Sequence, residues 1–358
     1  MIKYTLAFLL AAASCIPTAV AYNVLIIGGT RFSGAALWKE LHDRGHSVTV
    51  YNRGKTMPKV VAPHRETEDE LSARVAAATF LAGDRADADA VSSLVNPSDY
   101  DYVFDMNARE RSDVDPWVNV FKQSSGNRLK QYVFMSSAGV YLKSDELPHM
   151  ERDPTDPKSR HKGKLDSEDL LQKSGLPWCS FRPTYICGPG NYNPVERYFF
   201  ERVDCNRPVC IPGHGQHLTG LGHVYDLAVA MANVIDRTDK TTGKVYNVQN
   251  IQAITFDGVA KAAAKVSGKG SVKIVHYEPK EIDFGDKKAF PMRPQHFFTS
   301  PLEAMKDLDW TPKYDTVESI MRDAYENDFV HVKAAGKLKG DFSCDELVLQ
   351  HVGKAVVA

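Results

Sequence analysis

The sequence predicts an α/β fold, a doubly wound parallel sheet with a smaller C-terminal lobe. Three observations predict it. Short apolar runs alternate with helical stretches through the first half of the chain, the pattern of a parallel sheet with right-handed crossovers. The first run, Asn23-Val24-Leu25-Ile26-Ile27, stops at glycines, as a strand buried on both faces does. Those glycines open Gly28-Gly29-Thr30-Arg31-Phe32-Ser33-Gly34, which leads straight into a helix.

That helix is expected over Phe32 to Arg44, closed by Gly45. Ser47-Val48-Thr49-Val50-Tyr51 is the second strand, and Thr79-Phe80-Leu81 the third, running into Gly83-Asp84-Arg85. Tyr102 to Asp105, Gln131 to Met135 and Trp178 to Phe181 follow as strands, with helices between them. These make residues 22–185 a Rossmann-like domain of the NAD(P)-binding type. A strand at Val245-Tyr246-Asn247-Val248, within a return segment near 223–249, rejoins the sheet. Between Gly188 and Gly222 proline, glycine and aromatics interrupt the pattern. Thr255 caps a helix to Val266 that Gly268 closes, and Asp315 to Phe329 is a last amphipathic helix. The smaller lobe is therefore assigned to 186–222 and 250–330, and 331–358 is assigned to a tail.

At 358 residues the chain is long enough to bury a full core, and 43% apolar with 25% charged residues is ordinary for a globular enzyme. The net charge of −1 supplies no global field toward nucleic acid or membranes, so any such binding needs a local patch. Residues 1–21 read as a targeting segment: Lys3, an apolar stretch from Leu6 to Ala13, and the small-x-small site Ala19-Val20-Ala21. No later stretch is long and apolar enough to span a bilayer. After that segment the chain keeps Cys179, Cys187, Cys205, Cys210 and Cys344. Their odd number and irregular spacing favour reduced thiols, with a small Cys205–Cys210 loop as the alternative.

Strand, glycine turn and helix N-terminus together form the context of a dinucleotide phosphate site, for which Gly28, Gly29, Thr30, Arg31, Phe32 and Gly34 are the candidates. The position where a middle glycine lets backbone approach phosphate is Arg31, which either obstructs a nucleotide or neutralises it. The second strand ends at Tyr51-Asn52-Arg53, with no acidic residue for ribose hydroxyls. Asn52 and Arg53 suit a 2′-phosphate, so the site admits NADP ahead of NAD. Asp84 and Arg85 are placed beside the cofactor as well; Asp84 alternatively caps the next helix.

Ser136-Ser137-Ala138-Gly139-Val140-Tyr141 follows the fifth strand, Arg182-Pro183-Thr184-Tyr185 precedes Gly188-Pro189, and His223-Val224-Tyr225-Asp226 comes later. With the opening turn these stretches resemble the extended short-chain dehydrogenase/reductase superfamily, the fold of nucleotide-sugar epimerases. The resemblance adds Ser136 and Pro183 to the cofactor residues. It also implies a catalytic serine, tyrosine and lysine, the tyrosine four residues before the lysine. Ser137 fits the serine and Lys164 the lysine, but Arg160 stands where the tyrosine belongs. A guanidinium keeps its proton at neutral pH and cannot exchange one with substrate. Standard hydride-transfer or epimerase chemistry is therefore not expected.

Longer stretches point further. Tyr141-Leu142-Lys143-Ser144-Asp145, the run from Asp156 to Lys164, Asn191-Tyr192-Asn193-Pro194-Val195-Glu196, Lys287-Lys288-Ala289-Phe290-Pro291 and Gln295-His296-Phe297-Phe298 resemble the chloroplast stem-loop-binding proteins of 41 kilodaltons, the b type most of all. The resemblance implies a plastid RNA-binding protein on a dehydrogenase scaffold. Its partners would be stem-loop, ribosomal and messenger RNA and ribosome-associated complexes, it would form homo- or hetero-oligomers, and it would have endoribonuclease activity. It also implies that the leading segment addresses a plastid; secretion or the ER lumen is the alternative.

The residues themselves offer basic candidates for RNA: Lys158, Arg160, His161, Lys162 and Lys164 in one run, and Lys280, Lys287, Lys288, Arg293 and His296 in another, with Phe284, Phe290, Phe297 and Phe298 interleaved as stacking surface. Cleavage needs a base and an acid, or a metal. His161 beside Lys164 is one such pair. Asp145, Glu146, His149, Glu151 and Asp153 form an acidic stretch that would suit Mg²⁺ or simply a solvated loop, and no zinc spacing is present. An NADP-dependent oxidoreductase or nucleotide-sugar epimerase, and a scaffold without catalysis, remain the alternative functions.

Overall fold

The computed structural model describes residues 20–123, 128–338 and 340–357. The targeting segment assigned to 1–21 lies almost wholly outside these. Seven strands form one all-parallel sheet: β1 (Asn23–Ile27), β2 (Ser47–Asn52), β3 (Thr79–Ala82), β4 (Tyr102–Asp105), β5 (Gln131–Met135), β6 (Trp178–Pro183) and the return strand Lys244–Val248. Their order is return strand, β6, β5, β4, β1, β2, β3. The order reverses between β1 and β4, and the crevice above their C-terminal ends is where doubly wound sheets hold ligands.

Both faces of the sheet are covered. Leu37, Trp38 and Leu41 of helix α1 (Phe32–Asp43) join Met231 and Val234 on one face. Trp117, Phe121 and Leu171 cover the other. This two-sided burial explains the unbroken apolar runs of β1, β4 and β5. Gly34 lets α1 sit tightly on the strand: a Cβ there would lie 2.1 Å from the carbonyl oxygen of Gly28.

The remaining strands form two small sheets, Tyr185–Cys187 with Leu218–His223 and Ala253–Thr255, and Val209–Pro212 with Ile274–Tyr277. They enclose a separate core of Phe199, Phe200, Ile211, Phe256, Phe290 and Ile320. Thr255 caps the Phe256–Val266 helix through the Gly258 N–H. The helix expected to Phe329 is α-helical only over Val317–Ala324 and continues as a π turn over Tyr325–Phe329. The five cysteines among the described residues are free, so Cys205 and Cys210 do not pair.

Where a tail was expected, Ser343–Val357 forms a helix. It docks through Val348, which is fully buried, and through Asp345, which takes Arg202 at 2.9 Å. The same guanidinium lies 3.4 Å from the Tyr198 ring centroid. Asp345→Ala strands this buried cation and should lower the unfolding free energy by about 3 kcal/mol in urea denaturation. Among the described residues no helix is long and apolar enough to cross a membrane.

Candidate functional site

The site lies above the C-terminal ends of β1, β4, β5 and β6. The Lys162–Ser174 helix supplies its far wall. Glu168 pins that helix to the sheet, accepting from Arg182 at 2.5 Å and from Ser180 at 2.8 Å inside the core. No side chain caps its N-terminus, and its first turn packs at Gly163 against Arg109 and Glu110.

At this mouth a group of cations converges. Arg160 donates to His161 Nε2 at 3.1 Å. Arg293 donates to the Gly139 carbonyl at 3.0 Å, and its backbone N–H donates to the Tyr185 hydroxyl at 2.8 Å. Lys288 donates to the Pro291 carbonyl at 2.7 Å. The partners of all three are thus neutral. Gly139 makes the approach possible, since a Cβ there would lie 2.6 Å from both Arg293 and His161. Burial, and then Arg160, Arg293 and Lys164, press the His161 pKa down to about 4. It is a neutral imidazole at physiological pH, ringed by positive charge.

Lys164 donates to the Met135 carbonyl at 2.5 Å. Burial lowers its pKa from 10.5 to about 8, against the pull of Asp105. The folded chain therefore releases this proton more readily than the unfolded chain. Between those two values the unfolded state binds more protons, and this group's contribution to stability rises with pH. Lys164→Met removes the cost of the buried ammonium and should raise the melting midpoint by about 5 °C near pH 7, a gain that fades toward about pH 10. Ser137 Oγ accepts the Gly139 N–H at 3.1 Å, capping a short turn.

The expected cofactor residues separate into two groups. Gly28, Gly29, Thr30, Arg31, Phe32 and Gly34 form the expected turn between β1 and α1, and Pro183 is buried at the end of β6. The Ser136 hydroxyl is buried with no hydrogen-bond partner among the described residues, as a donor awaiting a ligand would be. The other group is engaged elsewhere. Asn52 Oδ1 accepts the Gly54 N–H at 2.6 Å, and Asp84 Oδ1 accepts the Ala86 N–H at 3.0 Å. Arg53 is exposed.

Arg85 is engaged inside the protein as well. It turns inward and forks onto Asp105 at 2.8 and 2.5 Å, with a further bond to Asn107 Oδ1 at 2.7 Å. Asp105 is fully buried and also accepts the Tyr132 hydroxyl at 2.9 Å. A buried carboxylate at the end of β4 demands that partner, which leaves Arg85 no free donor fork for a nucleotide. The Asn107 side chain in turn rests against Gly28. The turn and the Ser136 hydroxyl fit a dinucleotide. Arg31 is exposed at that turn, and the Arg85–Asn107 chain ends against Gly28.

Among the RNA candidates, Arg160, Lys158 and Lys288 are exposed. Lys162 is neutralised by Asp166 at 2.5 Å, and Lys287 faces Asp341 at 3.4 Å and donates to the Ser343 hydroxyl at 2.6 Å. Phe290 and Phe297 belong to the core and present no stacking face, and Phe284 is partly buried against Tyr277. The acidic stretch forms no cation cage. Glu151 accepts the Asn247 N–H, Asp153 accepts the Met150 N–H, and His149 stacks on Tyr141. Among the described residues no three His, Cys, Asp or Glu side chains are grouped so as to hold a metal ion. Arg293 is among the basic residues that the sequence offers between 280 and 296, and the structure adds its contact with the Gly139 carbonyl. No spacing places it on Gly139.

Neither tyrosine near the crevice replaces the missing acid. The Tyr141 hydroxyl is buried, donates to Asn247 at 2.8 Å, and has its pKa pushed up to about 12 by burial. The Tyr185 hydroxyl accepts from the Arg293 backbone, and burial raises its pKa.

Residues 24–248 match the sequence model of the NAD dependent epimerase/dehydratase family. The chloroplast stem-loop binding protein of 41 kDa b of Arabidopsis thaliana is 45% identical over 329 residues, covering 91% of this chain and 84% of that protein. Among solved structures, a UDP-glucose 4-epimerase from Stenotrophomonas maltophila with bound NAD is 18% identical over 87% of this chain and 99% of its own, at a TM-score of 0.69. A UDP-glucose 4-epimerase from Thermotoga maritima with UDP-glucose is 20% identical over 85% and 97%, at a TM-score of 0.66. At these identities the two structures speak for the fold alone.

Proposed function

The chain belongs to the NAD dependent epimerase/dehydratase family and, within it, to the chloroplast stem-loop-binding proteins of 41 kDa; from that premise we propose that it is a plastid RNA-binding protein whose ancestral substrate crevice receives the phosphate backbone. The observation that carries this reading is the group of Arg160, Lys288 and Arg293 around a neutral His161, with imidazole and carbonyl partners in place of carboxylates. These cations repel one another, Asp156 near Arg293 offsets only part of that repulsion, and an anion entering the crevice relieves the rest. A polyanion does so at several phosphates at once. The name of the Arabidopsis relative supports stem-loop RNA as the ligand and the chloroplast as the compartment. The same reading includes ribosome-associated complexes and assembly with itself or with relatives.

Gel shifts of the purified chain with a plastid-type stem-loop RNA test this. Affinity should fall steeply with salt, and titration with NADP should give neither hydride transfer nor sugar epimerisation. Salt-independent binding, or turnover of a nucleotide sugar, would contradict it. If a dinucleotide binds, the Gly28–Gly34 turn and Ser136 would hold it, with Arg53 favouring NADP. It would supply a hydride acceptor, but Arg160 leaves the crevice without the tyrosine that moves the proton.

Strand cleavage is the finer reading, favoured by the state of His161. With Arg160 turned from Nε2 onto a phosphate, the neutral imidazole would take the proton of a 2′-hydroxyl as that oxygen bonds to phosphorus; the bond from phosphorus to the 5′-oxygen would break, the Lys164 ammonium would protonate the leaving oxygen, and the surrounding cations would stabilise the phosphorane charge. Ser137 would position the strand, and no step here passes through Mg²⁺. His161→Gln should abolish cleavage and keep binding within about twofold, because a neutral side chain replaces a neutral one. Cleavage that survives this change would remove His161 from the mechanism.

A further inference from the structure

The position that distinguishes the glycine turn, Arg31, has a partner that the crevice chemistry does not use. Its guanidinium carbon lies 4.8 Å from the centroid of the Tyr192 ring. The Phe32 ring meets the same tyrosine edge-on at 6.3 Å. Tyr192 is 64% exposed, and Arg31 is exposed beside it. Phe32 holds a φ of 43°, a left-handed conformation that side-chain-bearing residues rarely adopt and that gathers at ligand sites.

The loop that presents Tyr192 is anchored. The Gly188 N–H donates to Glu196 at 3.2 Å, the Gly190 N–H to Asp328 at 3.2 Å, and the Asn191 amide to the Ile186 carbonyl at 2.9 Å. Arg197 holds Asp328 in turn at 3.0 Å. An aromatic ring kept in water on a fixed loop, with a cation along it, is a prepared stacking surface: little order remains to be imposed when a flat ligand arrives. The same segment begins at Tyr185, whose hydroxyl takes the Arg293 backbone N–H. One end of it therefore touches the cation group and the other end touches the glycine turn.

We propose that Tyr192 and Arg31 form a stacking site for an unpaired base of the bound RNA, with the base on the tyrosine ring and an adjoining phosphate on Arg31. This rests on the RNA reading above and adds a preference within it. Cations alone grip any backbone, whereas a stacking ring selects bases that are not already paired. The chain would thus favour the loop of a stem-loop over its stem.

The test is fluorescence anisotropy with two RNAs of equal length, a stem-loop carrying 2-aminopurine in the loop and a blunt duplex. Tyr192→Ala should weaken stem-loop binding about tenfold and leave the duplex unchanged. Tyr192→Phe should bind as the parent does, and Arg31→Ala should weaken the stem-loop severalfold. The 2-aminopurine signal should be quenched by the parent and not by Tyr192→Ala. Equal affinities of parent and Tyr192→Ala for the stem-loop would overturn the stacking site and leave the RNA reading standing. A parent that binds neither RNA would overturn both. Loss of NADP binding in Tyr192→Ala with stem-loop affinity intact would assign the ring to a dinucleotide and overturn the proposal.

Discussion

Replacing Arg160, Lys288 and Arg293 together by alanine is expected to lower affinity for a structured RNA by about a hundredfold at 0.1 M salt. The figure follows from counterion release, in which each phosphate contact contributes a slope of roughly 0.7 to 0.9 in log affinity against log salt. Removing three contacts flattens that slope by about two. Lys162→Ala and Lys287→Ala are the matched controls, because Asp166 and Asp341 already face those ammonium groups. Each control should change affinity by less than about threefold. Arg293 also braces Gly139, so Arg293→Lys, which keeps the charge, belongs in the series. Equal losses in the triple variant and in the controls would mean that charge anywhere on this surface suffices, and the crevice would lose its special status.

Arg85→Ala is expected to destabilise the fold by about 3–5 kcal/mol, because it leaves the Asp105 carboxylate buried without its counter-charge. The urea midpoint reads this directly. Arg85→Met combined with Asp105→Asn should recover most of the loss, since the buried charge and its partner then leave together. The pair thus separates two roles. If Arg85→Ala unfolds at the parental midpoint but no longer binds NADP, Arg85 serves a cofactor. If stability falls and the double variant restores it, Arg85 serves the end of β4.

The fold was legible wherever burial on both faces wrote itself as an unbroken apolar run. Asn23–Ile27, Tyr102–Asp105 and Gln131–Met135 stand where their composition predicts, and Thr255 and Gly268 mark the ends of their helix. The Ser343–Val357 helix was not legible, because Asp345 and Arg202 pair across 143 positions and no local pattern encodes that contact. The site divides in the same way. The charges of Arg160 and Lys288 are visible in the sequence, but their freedom is not, since it depends on which carboxylates the fold brings near. One signal was present and passed over: Asp166 stands four residues after Lys162, the spacing of a helical ion pair. Asp105 at the end of an apolar strand was another, because a carboxylate buried there requires a cation.

Ultraviolet cross-linking of the bound stem-loop RNA, with mass spectrometry of the attached peptides, tests the central claim most directly. The crevice account predicts cross-links within 156–164 and 288–297, with a further one at Tyr192. Cross-links confined to the opposite end of the sheet, or to the Ser343–Val357 helix, would contradict it.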